Sequence, residues 1–194
     1  MSIFILIIPI LFVLKQIIPK TKELLLISIL LGLISSFIMY LDNTNRPDAG
    51  LYHLPFINII NDSKIIIGSA NLEFRFGHTS VLQYLSAAFN NHIFSENGIL
   101  LTQANIFSIV VLYFLSLLKV NNTFLKLFFF VFLFNILYSM NRYSGFGNDD
   151  PAHMFYFLSI CNLVYYYFDK DKNKIKNIIF FSLFAFLIKP FLIL

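Results

Sequence analysis

Charged residues are scarce in this sequence. Only 12% of its 194 residues are Asp, Glu, Lys or Arg, whereas 58% are hydrophobic, and the mean hydropathy is +0.78. An ordinary soluble domain has about 25% charged residues, which cover its water-facing surface. The composition therefore excludes a soluble enzyme and a disordered tail, and it predicts a polytopic membrane protein.

Cysteine is almost absent as well, since Cys161 is the single one. One thiol cannot form an internal disulfide, and without further thiols it cannot build a zinc cluster. The net charge of +4 could indicate a nucleic-acid partner. Lysines beside membrane spans produce the same excess, however, so we expect no nucleic-acid binding.

Long apolar runs dominate the sequence instead. A helix that crosses a bilayer needs about 20 mostly apolar residues, with about 17 as the lower limit. The sequence therefore predicts an all-α fold, a polytopic transmembrane helix bundle of about six spans. The segments that meet or nearly meet this length are 3–18, 24–41, 99–118, 123–140, 152–168 and 178–194.

The charges divide between two sides of these spans. Lysines fill three alternate short connections, at 20–22, 119–126 and 170–176. Because cytoplasmic loops collect Lys and Arg, we expect these connections inside the cell and the chain in the cell (inner) membrane. The opposite side holds the long segment 42–98 and the loop 141–151, which carry all three arginines and most of the acidic residues.

The long outer segment is too apolar for a solvated linker. We expect interfacial helices at 50–61 and 80–90 within it. In the second, Val81 and Leu85 fall on one face, whereas Gln83, Ser86 and Asn90 fall on the other. This pattern is typical of an amphipathic helix that covers the end of a bundle, and it is equally compatible with a role in substrate binding.

A first cluster of polar side chains, Arg46, Asp48, Tyr52 and His53, follows the second span. A carboxylate between an arginine and a histidine can act as a general base or a metal ligand. Asp48 could equally cap the interfacial helix that begins near Gly50. The segment alone leaves both interpretations open.

A second cluster lies in the short loop before the fifth span. Asp150 followed by Pro151 fits a helix N-cap and first turn, which explains Asp150 without a function. That arrangement does not explain Asp149. Together with Asn148 and the nearby His153, the two acids can supply oxygen and nitrogen ligands for a divalent cation such as Mg or Mn.

A third cluster combines Glu73 and Arg75 in an alternating polar and aromatic run, 71–78, which predicts a short strand. An exposed ion pair between them would contribute little. Arginine is the better bidentate partner for phosphate, so Arg46, Arg75 and Arg142 are candidate phosphate ligands. Lys189 lies within the last apolar run, and an ionisable group inside a span indicates a functional position.

The order of these elements resembles the front half of the GT-C superfamily of membrane glycosyltransferases. The shared pattern is an outward span, a long outer loop that begins with an acidic motif and contains two interfacial helices, two further spans and a second acidic outer loop. The run Asp48–His53 also resembles poorly characterised bacterial multi-pass proteins associated with surface polysaccharides. The similarity covers residues 24–168.

This resemblance implies a sugar donor on a polyprenyl phosphate and a glycan or lipid acceptor on the outer face. It implies that Asp48 is the essential acid of the first loop, and that Asp149 or Asp150 is the acid of the second. We expect Asp48 to act as the base of an inverting transfer, with Arg46, Arg75, Arg142 or a bound divalent ion stabilising the phosphate. Tyr52 and His53 are further candidate substrate ligands.

Two other classes compete with this prediction. One is a transporter of lipid-linked glycans, such as a flippase, or a polymerase component, for which a deep Lys189 would be typical. The other is a truncated, non-catalytic membrane protein. The last residues, FLIKPFLIL, stop within an apolar run, which predicts that the single transmembrane domain 1–194 is the N-terminal fragment of a larger bundle.

Overall fold

A computed structural model describes residues 21–42, 47–63, 67–77, 80–140, 142 and 146–190 of the chain. The predicted span 3–18 and Arg46 lie outside these residues. Within them the chain is helical, which confirms the predicted all-α class, and the only β-type pairing is an isolated bridge between Asn91 and Ser95. The helices are α1 (Thr21–Leu41), α2 (Leu54–Ser63), α3 (Val81–Phe89), α4 (Gly98–Leu117), α5 (Thr123–Tyr138), α6 (Asp149–Asp169) and α7 (Lys172–Ile188).

The core lies among α4, α5, α6 and α7. Bulky side chains such as Phe114, Phe129 and Leu158 are almost fully buried there. Polar groups inside this core are paired: the Tyr113 hydroxyl donates to Asn162 Oδ1 at 2.8 Å, and Asn177 Nδ2 donates to the Tyr113 oxygen at 2.8 Å. Because buried polar groups are costly unless they are hydrogen-bonded, this network ties α4, α6 and α7 into one arrangement.

Helix α1 packs against α4 through small side chains. The Asn105 side chain occupies the space that a Cβ at Gly32 would need, and the Ser35 and Ser108 hydroxyl oxygens are 3.3 Å apart. These two contacts hold the middle of α1 against the middle of α4.

By length and composition, one described helix, α4, is long and apolar enough to cross a membrane, while the apolar stretches Leu25–Leu41 and Thr123–Tyr138 are shorter. Large apolar side chains nevertheless cover the outside of the bundle. Those exposed on α1 are Leu26, Ile27, Ile29, Leu30, Leu33, Ile34, Phe37, Ile38, Tyr40 and Leu41, and those on α5 are Phe124, Leu127, Phe130, Val131, Phe134, Leu137 and Tyr138.

The two ends of the α4–α7 bundle differ in chemistry. The α4–α5 turn and the α6–α7 link meet at one end, where Phe124 contacts Phe168. We call it the lysine end, because its lysines are Lys119, Lys126, Lys170, Lys172, Lys174 and Lys176. The opposite end, the cavity end, contains the start of α6, the end of α7 and the two short helices α2 and α3.

Helices are present at both predicted positions, 50–61 and 80–90, but the second does not simply bury its apolar face. Helix α3 buries Gln83, Ser86 and Asn90, the face that the sequence pattern marks as polar. Asn90 Nδ2 donates to Asn58 Oδ1 on α2 at 2.5 Å, and Asn61 Nδ2 donates to the Asn90 carbonyl oxygen at 2.6 Å. Side-chain amides therefore join the two short helices at the cavity end.

Candidate functional site

A cavity of about 340 Å³ opens at the cavity end of the bundle. It forms where the segment before α2, the start of α3, the start of α6 and the end of α7 meet. Its lining combines aromatic rings, two cationic side chains, one carboxylate and side-chain amides. The lining residues are Tyr52, His53, Phe56, Arg75, Phe76, Gln83, Asn148, Asp149, Ile188, Lys189 and Pro190.

Tyr52 and His53 enter this cavity from a single π-helical turn, Ala49–His53, that leads into α2. A π-helical turn adds one residue relative to an α-helix and is found at many functional sites. The two rings lie 4.1 Å apart between centroids and are tilted by 45°. The wider turn thus directs two adjacent side chains to the same cavity.

Burial controls the protonation of both rings. It lowers the pKa of His53 to about 4, with Arg75 adding to the decrease, while the Asp48 and Asp149 carboxylates act in the opposite direction. Burial, followed by the same two carboxylates, raises the pKa of Tyr52. At neutral pH the imidazole is neutral and the phenol protonated. The charges of Asp48 and Asp149 both affect these two rings. The two acidic segments therefore lie at the same end of the bundle, near Tyr52 and His53.

Arg75 lies on a 3-10 helix, Phe74–Gly77, where the sequence pattern predicts a short strand. That strand prediction is wrong, because Phe76 turns inward and stacks on Phe56 with a centroid distance of 5.0 Å. The Arg75 guanidinium lies 4.7 Å from the centre of the Tyr52 ring. No carboxylate among the described residues pairs with it, so it can bind an anion in the cavity.

Lys189 forms an ion pair with Asp149, with 2.6 Å between Nζ and Oδ1. Asp149 begins α6 and Lys189 caps the end of α7, so each charge suits the helix dipole beside it. Lys189 has an extended backbone, and α7 ends at Ile188. The helix therefore ends within the predicted segment 178–194, just before Lys189.

Several buried acceptor atoms around the cavity have no hydrogen-bond partner within the described part of the chain. Three of them belong to lining residues: His53 Nδ1, Gln83 Oε1 and Asn148 Oδ1. Gln103 Oε1 is a fourth, behind the lining, where Gln103 Nε2 donates to the Gly147 carbonyl oxygen at 3.3 Å. Each unsatisfied buried polar atom costs about 1–3 kcal/mol, which makes a polar ligand the natural occupant.

This geometry can be compared with known proteins. A family model described as a domain of unknown function, DUF8201, matches residues 1–194. The chain belongs to this family. No curated protein and no solved structure matches the chain. The function of this DUF8201 protein is therefore inferred from its cavity.

The structure tests one of the two interpretations of Asp48. Its side chain is exposed, its backbone is helical (φ −65°, ψ −29°), and the carboxylate makes no capping hydrogen bond, so the capping interpretation is wrong. Asp48 is not one of the lining residues, but its charge acts on Tyr52 and His53, which are. Its role as a base or a metal ligand stays a prediction.

The structure does not bring the predicted metal ligands Asp149, Asp150 and His153 together in the cavity. Asn148, and not Asp150, is the N-cap of α6, and Asp149 and Asp150 form its first turn. His153 is exposed and stacks on Phe157 at 6.3 Å, away from the cavity lining. In the described parts of the chain, no three His, Cys, Asp or Glu side chains group closely enough to hold a metal. The divalent cation stays a prediction.

Three further lining residues were noted in the sequence but not placed together in one cavity. They are Gln83, Asn148 and Lys189. Arg142, in contrast, is exposed and is not one of the lining residues. The helix end at Lys189 was predictable, because a residue that precedes proline is biased away from helical dihedrals, and Pro190 follows it. Gln83 belongs to the polar face of 80–90, whose contacts the sequence left open.

His53 should make the stability of this protein depend on pH. The unfolded chain takes up a proton on this imidazole near pH 6.5, whereas the folded protein does so only near pH 4. The free energy of unfolding should therefore fall as the pH drops through this window, by at most ~3 kcal/mol. Unfolding of the detergent-solubilised protein from pH 7 to 4 measures it. The His53→Gln variant should lack this component, and identical pH dependence in both proteins would contradict the assignment.

Proposed function

We propose that this protein is a membrane-embedded glycosyltransferase that moves a sugar from a polyprenyl phosphate to a glycan or lipid acceptor at the outer face of the cell membrane. The observation that supports it most is the cavity. There, a guanidinium without a carboxylate partner among the described residues lies beside buried acceptor atoms and two acidic segments. A sugar phosphate presents the complementary groups, namely an anion and several hydroxyls.

The outer surface of the bundle supports a position in the bilayer. Soluble monomers rarely expose large contiguous apolar patches, yet α1 and α5 expose Leu, Ile and Phe side chains along their length. At the lysine end, Lys174 Nζ lies 4.1 Å from the Tyr165 ring centre, and Lys170 Nζ lies 4.7 Å from that of Tyr167. Tyrosines and lysines together are typical of a membrane–water interface.

Orientation follows from the same residues within this proposal. The lysine end faces the cytoplasm, so the cavity end faces outward, where α6 begins and α7 ends. The proposed protein has about six membrane spans, and residues 3–18 form the first. A polyprenyl phosphate held in the outer leaflet would present its head group at the level of the cavity.

The chemistry requires one base and one phosphate-binding group. The acceptor oxygen attacks the anomeric carbon while the bond from that carbon to the phosphate oxygen breaks, and the phosphate leaves with the electron pair. Asp48 takes the acceptor proton in this proposal, because its carboxylate is exposed, makes no capping hydrogen bond and corresponds by the resemblance to the essential acid of the first outer loop. Arg75 stabilises the departing phosphate. A single displacement of this kind inverts the anomeric configuration.

The remaining charged groups fit supporting roles. Lys189 and Asp149 neutralise each other as an ion pair, which leaves Arg75 as the cation of the lining without a carboxylate partner among the described residues. Asp149, Asp150 and His153 do not form a three-ligand group, so no step is assigned to a divalent cation. The transporter alternative depended on a deep Lys189, and Lys189 lies instead at the end of α7, beside Asp149.

The reaction itself tests the proposal. The protein in lipid nanodiscs would be incubated with a panel of polyprenyl-phosphate hexoses and candidate acceptors. We expect acceptor-dependent release of polyprenyl phosphate, measured by mass spectrometry, and an inverted anomeric configuration in the product, measured by NMR. Failure to release the lipid phosphate from any donor would contradict the proposed activity, and retention of configuration would contradict the single-base mechanism.

A further inference from the structure

We infer that the cavity is a sugar-binding site in which Gln83, Asn148 and His53 accept hydrogen bonds from the hydroxyl groups of a sugar ring. Its assignment to the donor's sugar rests on the proposed function, whereas the binding itself does not. The sequence patterns indicated Asn148 as a metal ligand and Gln83 as part of a polar helix face, but they placed neither in a sugar-binding site. The site that we assign is therefore larger than the acidic motifs.

The evidence for a hydrogen-bonded ligand is strongest at Gln83. Its side chain is only 4% exposed, it lines the cavity from the first turn of α3, and its Oε1 has no partner in the described ranges. His53 is 7% exposed, and its Nδ1 accepts a hydrogen bond in the tautomer that carries the proton on Nε2, while Asn148 contributes Oδ1. Three unsatisfied buried acceptors around one cavity are uncommon, since most buried polar atoms are hydrogen-bonded.

The chemistry of these atoms identifies the ligand class. A carbonyl oxygen of a side-chain amide only accepts hydrogen bonds, so it needs a donor. A fully ionised phosphate and a polyprenyl chain offer none. Hydroxyl groups can donate hydrogen bonds to these oxygens. If a side-chain amide is flipped so that its NH2 group faces the cavity, a hydroxyl can accept a hydrogen bond from it instead. The ligand must therefore contain hydrogen-bond donors in addition to any anion that binds Arg75, and the hydroxyls of a sugar phosphate supply them.

Shape and surface agree with a sugar. The volume, about 340 Å³, lies at the low end of the range for small-molecule sites, which suits a head group and not a long lipid chain. Tyr52, Phe56 and Phe76 supply aromatic surface for the apolar C–H face of a sugar ring, and the amides provide the few orienting polar groups that such sites have. Arg75, stacked on Tyr52, is placed for a phosphate attached to that ring.

The test compares ligands and one variant. The full chain in nanodiscs would be titrated with a hexose 1-phosphate, with polyprenyl phosphate and with the corresponding polyprenyl-phosphate hexose. Gln83→Met keeps the side-chain volume but removes the amide. We expect it to weaken both sugar-bearing ligands about tenfold and to change polyprenyl phosphate less than twofold, which also shows that the variant is folded. Equal weakening of all three ligands, or of none, would overturn the inference.

A series of monodeoxy hexose 1-phosphates provides a second measurement that does not require the variant to fold. The wild-type protein should lose about tenfold in affinity for at least one analogue, and Gln83→Met should not distinguish that analogue from the parent sugar. If no deoxy analogue binds more weakly than the parent, the hydroxyl contacts do not exist. If the variant discriminates as the wild type does, Gln83 is not the partner.

Two comparisons separate the possible ligands and functions: lipid-linked against free sugar phosphate, and binding against transfer. Tighter binding of the polyprenyl-linked sugar than of the free sugar phosphate identifies a lipid-linked head group, whereas equal affinity identifies a soluble sugar phosphate. Sugar-dependent binding without any transfer reaction would support this inference and contradict the proposed enzyme. Transfer that is unaffected by Gln83→Met would support the enzyme and contradict the inference.

Discussion

Replacing Asp48 by Asn should lower the rate of sugar transfer by about 100- to 10,000-fold, the usual contribution of a general base. The amide keeps the size of the side chain but cannot take the acceptor proton. Because the Asp48 carboxylate is exposed and makes no capping hydrogen bond, the variant should fold and insert as the wild type does. The rate of polyprenyl phosphate release in nanodiscs measures the effect.

Asp62→Asn is the matched control for this experiment. Asp62 is an exposed aspartate on α2, fourteen positions after Asp48 in the sequence, and is not one of the residues that line the cavity. We expect it to keep the wild-type rate within about twofold, since surface substitutions of this kind have small effects. Full activity of Asp48→Asn, or equal losses in the two variants, would remove Asp48 as the base.

Replacing Arg75 by Gln should slow transfer about 100-fold, which is the effect of losing one group that stabilises developing charge. Its guanidinium stacks on Tyr52 at the cavity and has no carboxylate partner within the described residues. Arg75→Lys keeps the charge but not the planar fork, so it should restore only part of the rate. Product formation at saturating donor measures the loss.

Arg142→Gln gives the comparison, because both arginines were predicted to bind phosphate. Arg142 is exposed and does not line the cavity, so its replacement should change the rate less than about twofold. A larger loss in Arg142→Gln than in Arg75→Gln would place the phosphate outside the cavity and contradict the mechanism.

Most helix positions could be predicted from apolar runs alone. The predicted segments 99–118 and 123–140 correspond closely to Gly98–Leu117 and Thr123–Tyr138. Such runs are reliable because roughly 20 consecutive apolar residues have few alternatives to a buried or lipid-facing helix. The last helix was predicted to continue to residue 194, but it ends at Ile188. Mean hydropathy does not detect that Pro190 disfavours a helical backbone at Lys189.

The site was predictable only in part. Asp48, Tyr52, His53 and Asp149 were found because charged and aromatic groups are conspicuous in an apolar sequence. Gln83 was not, because an amphipathic pattern shows that a helix has a polar face but not what that face contacts. In the structure α3 directs this face inward, toward α2 and the cavity.

By itself, the sequence determined the all-α class and the separation of lysines from the acidic segments, since both follow from local composition and helical periodicity. Only the tertiary structure decided that Asp149 pairs with Lys189, and that Asp48 and Asp149 influence the same two rings. It also decided that α1 packs on α4 where Gly32 meets Asn105. These contacts join residues 40 or more positions apart, so they depend on how whole helices pack, which no local pattern specifies.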